Sequence, residues 1–190
     1  HNHCRQVRQQ STDQWQLPQT LLPTVHGGEL QVTLEKGEAA GFNDWSFSQL
    51  CRLSGISKET VNRFHPETAT LAFRDTLPHA DKPVQLLTTA QTVRSVHGVS
   101  YTRLWNAELI ETIRDVATDF QPPQTAYNGG TGLYCGEQDM FCFLIDPTGW
   151  IEIDGEAFAP GFFVWNSEVG RRSLGLQTFW FQKVCQNHIV

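Results

Sequence analysis

The 190-residue chain carries 14 Lys and Arg against 20 Asp and Glu, a formal net charge of -6, so a nucleic-acid partner must be met by a local basic patch rather than by the field of the whole molecule. Hydrophobic content of 39% with six Trp and twelve Phe supports a packed core, and no apolar run approaches the length that spans a bilayer, so no membrane partner is expected. Five scattered Cys without a Cys-x-x-Cys exclude a disulfide framework and a zinc ribbon; a cytoplasmic protein with buried, reduced thiols is expected.

The chain opens "HNHCRQVRQQSTDQWQL", polar, Gln-rich and without a signal-like apolar stretch, and this reads as a mobile end. Two His and a Cys within four residues suit a soft metal, but such terminal His are readily accidental and no metal is expected. Residues 1–41 are broken by Pro18, Pro23, Gly27, Gly28, Gly37 and Gly41. They read as an irregular segment with one short strand, on which Leu30, Val32 and Leu34 share a face. Residues 42–190 are expected to form a single α+β domain.

Two short helices are predicted over 46–64: Asp44 or Ser46 caps the first, Gly55 ends it, and Ser57 with Glu59 and Thr60 opens the second. Pro66 is expected to stop that helix. Strands are expected over "TATLAFRDTL" (68–77) and "PVQLLTTAQTVRSVHG" (83–98). A helix follows over 106–120, capped by Asn106, with Leu109, Ile113, Val116 and Phe120 on one stripe. "YNGGTG" (127–132) is a loop. From Leu133 the pattern is antiparallel strands joined by "GEQD" and by "DPTG", which suits a type I turn from Asp146. The expected architecture is therefore α+β: two or more helices in the middle third packed on a largely antiparallel sheet formed mainly by the C-terminal third.

"CRLSGISKETVNRF" (51–64) has the pattern of a helix-turn-helix, with Ser57, Lys58, Thr60 and Arg63 placed to face DNA. The third helix of such a bundle is missing, and Arg52, Lys58 and Arg63 are offset by Asp44, Glu59 and Glu67. A structural helical hairpin is the preferred reading. The acidic set Glu137, Asp139, Asp146, Glu152, Asp154 and Glu156 reads as a solvated face rather than a divalent-metal site. His97 and His188 read as structural, and Cys135 and Cys142 as core thiols. No hydrolase, zincin or cysteine-protease motif is present, so no reaction is assigned and no cofactor is expected. The most concentrated polar set is "WNSEVGRRS" (165–173), where Arg171 and Arg172 stand beside Asn166, Ser167, Glu168 and Ser173, with Trp165, Phe179, Trp180 and Phe181 as stacking faces nearby.

Two segments carry a resemblance. "SVHGVSYTRLWNAELIETI" (95–113) and "FAPGFFVWNSEVGRRSLGLQTFWFQKVCQNHIV" (158–190), with the paired Asn-Ser-Glu-x-Gly and Val-Cys-x-Asn motifs, resemble the phage/plasmid-like family called domain of unknown function 932. The likeness runs over most of residues 42–190. It implies a bacterial mobile-element protein without an assigned activity, and its signature falls on Tyr101, Asn106, Asn166, Ser167, Glu168, Gly170, Ser173, Cys185 and Asn187. Similar proteins usually continue with helical chain beyond Asn187, where the sequence runs three residues further.

The expected function is a non-enzymatic accessory factor of mobile-element DNA metabolism. It would bind single-stranded or processed nucleic acid through Arg94, Arg103, Asn166, Ser167, Glu168, Arg171, Arg172, Ser173 and Asn187. The alternatives are a nucleotide- or nucleic-acid-processing enzyme using Glu168, and a structural or protein-interaction module in which the motifs only fix turns and the chain associates with itself as a homo-oligomer.

Overall fold

Gly27 and Gly28, with φ of 61° and 83°, turn the chain in a two-residue hairpin between β2 (Leu22–His26) and β3 (Glu29–Thr33). Positive φ at both central residues is the turn geometry that matches strand twist, and glycine supplies it without a Cβ clash. The computed structural model describes residues 1–34, 37–123 and 132–182. It divides into two units, Gln6–Arg103 and His1–Arg5 with Leu104–Val190.

In the first unit the hairpin joins β1 (Ser11–Gln16), β4 (Ala39–Phe42), β5 (Val84–Thr89) and β6 (Thr92–His97) in a six-stranded sheet of order β1-β5-β6-β4-β3-β2. Neighbours are antiparallel except β4 and β6, which run parallel through Gly41 and Phe42. α1 (Asn2–Gln10) leads directly into β1, whose polar sequence pairs with β5 over six positions.

α2 (Asp44–Ser54) starts at a reciprocal capping box between Asn43 and Ser46 and ends at Gly55 in the left-handed conformation. Its buried polar side chains find backbone partners on β6: the Ser46 hydroxyl donates to the Val93 carbonyl at 2.6 Å, and Gln49 Oε1 accepts from the Val96 N–H at 2.9 Å. Leu50 and Cys51 of α2, Val61 of the one-turn α3 (Lys58–Val61) and Ala69 and Phe73 of α4 (Pro66–Thr76) then close over Leu86, Val93 and Val96.

The helix-turn-helix pattern is thereby accounted for by packing. α3 is a single turn, Lys58 is paired with Asp44, and Arg63 is bonded to Glu59 at 2.6 Å. Pro66 begins a helix instead of ending one, because its fixed φ and missing N–H suit the first helical position. The strand expected over 68–77 is accordingly α4.

The second unit holds α5 (Asn106–Val116), β7 (Leu133–Cys135), β8 (Met140–Ile145), β9 (Ile151–Ile153), β10 (Glu156–Asn166) and β11 (Gly175–Gln182). Four strands lie antiparallel in the order β11-β10-β8-β7, and β9 pairs with the start of β10. One sheet face packs Met140, Cys142, Leu144 and Val164 against Leu109, Ile110 and Ile113 of α5. The helix is shorter than expected, and Val116 is exposed.

These elements correct the expected fold class. Strands occupy both halves of the chain, helices are spread along it, and α2 to α4 pack on a sheet of their own rather than on the C-terminal one. Residues 1–41, read as irregular with one strand, contain α1, three complete strands and most of β4, and the division at Arg103 does not coincide with the expected one at 41/42. The cause is local: Gly27 and Gly28 are a hairpin turn, Pro18 opens a short 3-10 turn (Pro18–Thr20), Pro23 and Gly41 lie within β2 and β4, and β1 pairs through its backbone without an apolar alternation. No helix among the described residues is long and apolar enough to cross a membrane.

Within the first unit the Arg103 side chain, 2% exposed, forks onto Asp13 at 2.8 and 3.0 Å and reaches Gln85 Oε1 at 3.3 Å. Removing one partner of a buried pair strands the other charge. Asp13, 24% exposed, can partly regain water, so Arg103→Ala is expected to destabilise the protein by about 1–3 kcal/mol, whereas Arg63→Ala at the exposed pair with Glu59 costs at most about 0.5 kcal/mol, both read from urea unfolding.

Candidate functional site

α5 begins without a side-chain cap from its own flank, which leaves its first N–H groups needing partners. The carboxylate of Glu168, 3% exposed, supplies one: Oε1 accepts from the Asn106 N–H at 2.9 Å. A negative group at the positive end of a helix is favourable in both charge and hydrogen bonding. Asn166 completes the junction, its amide donating to the Leu104 carbonyl and to Asn106 Oδ1, each at 2.8 Å. The Asn106 side chain, expected as a cap, is instead part of this buried pair.

The intervening Ser167 faces the β7–β8 turn. Its hydroxyl donates to the Gln138 carbonyl at 2.5 Å and accepts from the Arg171 N–H at 3.0 Å, while Gly170, at φ 72°, bends the loop through a position that a side chain would strain. Arg171 also bonds the Gln138 side chain, and Arg172 Nε lies 3.2 Å from Asp139 Oδ1. Arg171, Arg172 and Ser173 remain exposed at the surface of this loop.

The structure therefore sorts the expected site residues. Asn166, Ser167 and Glu168 are buried scaffold, the first and last joined to Asn106 and Ser167 to the β7–β8 turn, and Arg171, Arg172 and Ser173 form an accessible cationic turn. Arg103 is occupied by Asp13, and Arg94 is likewise buried in the first unit; neither offers a free cation to a ligand. Asn187, Cys185 and His188 lie outside the described residues, as does most of "YNGGTG".

The second face of the C-terminal sheet is the feature that residue-by-residue reading missed. Phe141 and Phe143 on β8, Phe163 and Trp165 on β10, and Phe179 and Phe181 on β11 alternate with core residues and share that face. Tyr134, 51% exposed, stacks on Phe141 with centroids 5.1 Å apart, and Phe143 stacks on Phe179 at 4.3 Å. Gly161 and Gly175 make room for two of the rings against the backbone, while others meet at an angle, Phe163 tilted 57° to Phe143 and Phe181 74° to it. The Phe179 ring lies over Gly161 and the Trp165 ring over Gly175, where any Cβ would collide with them. The signal was present in the triplets "FCF", "FVW" and "FWF", whose first and third members point one way. Trp180, 61% exposed, points the other way.

Three cavities accompany these features. One of about 1070 Å³ lies in the first unit beside Phe42, Asn43 and Gln91. Another, of about 330 Å³, lies between α5 and β7–β8 and is lined by Cys4, Cys135 and Cys142. The last, of about 370 Å³, lies beside Trp150 and Phe181. Glu168 lines none of these three. Among the described residues no group of three His, Cys, Asp or Glu could hold a metal ion. Asp146 is held below the ordinary carboxylate range by the backbone N–H of Thr148 at 2.8 Å and by the Thr148 hydroxyl, as a turn-initiating Asp should be.

Glu168→Ala would leave a buried helix N–H without its carboxylate and is expected to cost roughly 2–3 kcal/mol in denaturant unfolding, whereas Ser173→Ala on the exposed turn should change stability by less than about 0.5 kcal/mol. Comparison with protein-family models, curated proteins and solved structures finds no match for the chain.

Proposed function

We propose that the protein is a non-enzymatic, cytoplasmic factor that binds single-stranded nucleic acid on the aromatic face of its C-terminal sheet, in keeping with the phage/plasmid-like resemblance. The observation that carries this reading is the cluster of aromatic rings on one sheet face, with Phe179 and Trp165 lying over Gly161 and Gly175 and Tyr134 51% exposed at its margin. Bases stack on such rings irrespective of sequence, and the exposed Arg171 and Arg172 stand at the loop that follows Trp165 to meet phosphates. With a net charge of -6, stacking has to supply most of the affinity and the two arginines only a modest salt-dependent part.

The test is fluorescence anisotropy with labelled single- and double-stranded oligonucleotides at low and moderate salt. Single strands are expected to bind more tightly than duplexes. Tyr134→Ala should weaken binding by about 1–3 kcal/mol, and Arg171→Ala/Arg172→Ala should flatten the log–log salt slope by roughly 1.4. Absence of binding to any single strand at low salt, or equal affinity for duplex, would overturn the reading.

A second reading has its own observation. Among the described residues β11 lies at the edge of its sheet, runs eight residues without charge, proline or bulge, and exposes Leu176 and Trp180. An edge of this kind is a template for another strand, and an antiparallel copy of itself fits by two-fold symmetry. Sedimentation equilibrium is expected to show a dimer that Thr178→Lys dissociates; a monomer at high protein concentration would remove this reading.

A further inference from the structure

Within the second unit, the sulfurs of Cys4 and Cys135 lie 3.3 Å apart although 131 residues separate them in sequence. Cys4 sits in the first turn of α1 and is 2% exposed, while Cys135 ends β7, is partly accessible, and takes a long contact of 3.9 Å from Asn106 Nδ2. Both sulfurs border the 330 Å³ cavity, which gives a small molecule room beside them. The hydrogen bond from Cys135 to an ionised Cys4 brings the Cys4 thiol down to about 7. Burial pushes Cys142, on the same cavity, and Cys51, in the first unit, upward, so these two remain protonated bystanders.

We propose that Cys4 and Cys135 are a dithiol that closes to an intrachain disulfide by exchange with a small-molecule disulfide of the glutathione class. The Cys4 thiolate attacks one sulfur of the small disulfide, forming a mixed disulfide and expelling one small thiolate. Cys135 then attacks the Cys4 sulfur, forming the Cys4–Cys135 bond and expelling the second thiolate. The two protein thiol protons end on the two released thiols; the protein is oxidised by two electrons and the small disulfide is reduced by two. This modification is independent of the nucleic-acid reading, because neither sulfur lies on the aromatic face.

The chain is incubated with oxidised glutathione, quenched with acid, alkylated, digested without reduction and analysed by mass spectrometry. The expected result is a peptide pair joined through Cys4 and Cys135, with Cys51 and Cys142 recovered alkylated. In Cys135→Ser the reaction should halt at a glutathione adduct on Cys4, whereas Cys142→Ser should behave as the parent chain does. Recovery of Cys4 and Cys135 as free thiols under oxidation, or linkage of Cys4 chiefly to another cysteine, would overturn the proposal. So would Cys135→Ser without an adduct on Cys4, provided its circular dichroism matches that of the parent chain.

Discussion

The arrangement of the second unit depends on a carboxylate placed at a helix end from 62 residues away. α5 lacks a cap of its own, and an uncapped buried N-terminus is costly because its N–H groups have lost water without gaining a partner. Glu168 answers that need, and the helix end in return makes a buried Glu tolerable. Asn166 fixes the same junction by bonding Leu104 and Asn106. The stripe of Leu109, Ile110 and Ile113 can then meet only one face of the sheet, which leaves the other face to the aromatic residues. A motif that looks like a reactive cluster in sequence thus acts as a joint.

How much of this was legible differs from one region to the next. The turn at Asp146, the strand character of 83–98 and the strands beyond Leu133 were readable because their turn chemistry and apolar content agree. The first 41 residues were not, because β1 is polar and pairs through its backbone, and because Gly27 and Gly28 register as breakers unless the two-residue turn is recognised. Helix α4 was misread as a strand on its Thr and Phe content, while Pro66 and the spacing of Ala69, Thr70 and Phe73 pointed to a helix. For the candidate site, polar concentration drew the eye to 166–173, but nothing local distinguishes a side chain aimed at solvent from one satisfied by a distant helix end. That distinction depends on Asn106, sixty residues upstream of Asn166.

The aromatic face shows the converse. Each ring on its own reads as core, and only strand register brings Phe143, Phe163 and Phe179 onto one surface. Glycine at two cross-strand positions lets the Phe179 and Trp165 rings lie down on the sheet instead of standing away from it. A standing ring offers an edge, whereas a lying ring offers its π-face. The proposed function accordingly rests on the surface beside the buried Asn-Ser-Glu triplet and not on the triplet itself.

Charge then constrains what that surface can bind. Of the four arginines first considered, Arg103 is held by Asp13 and Arg94 is buried, and Arg172 shares its charge with Asp139. Duplex DNA presents its phosphates outward and keeps its bases stacked on each other, so it would meet mainly the acidic character of the molecule and gain little from the rings. An unpaired strand can turn its bases toward the sheet and its phosphates toward solvent and Arg171. On the proposed reading, the same sparse positive charge that weakens the case for duplex recognition favours single strands over duplex at this face.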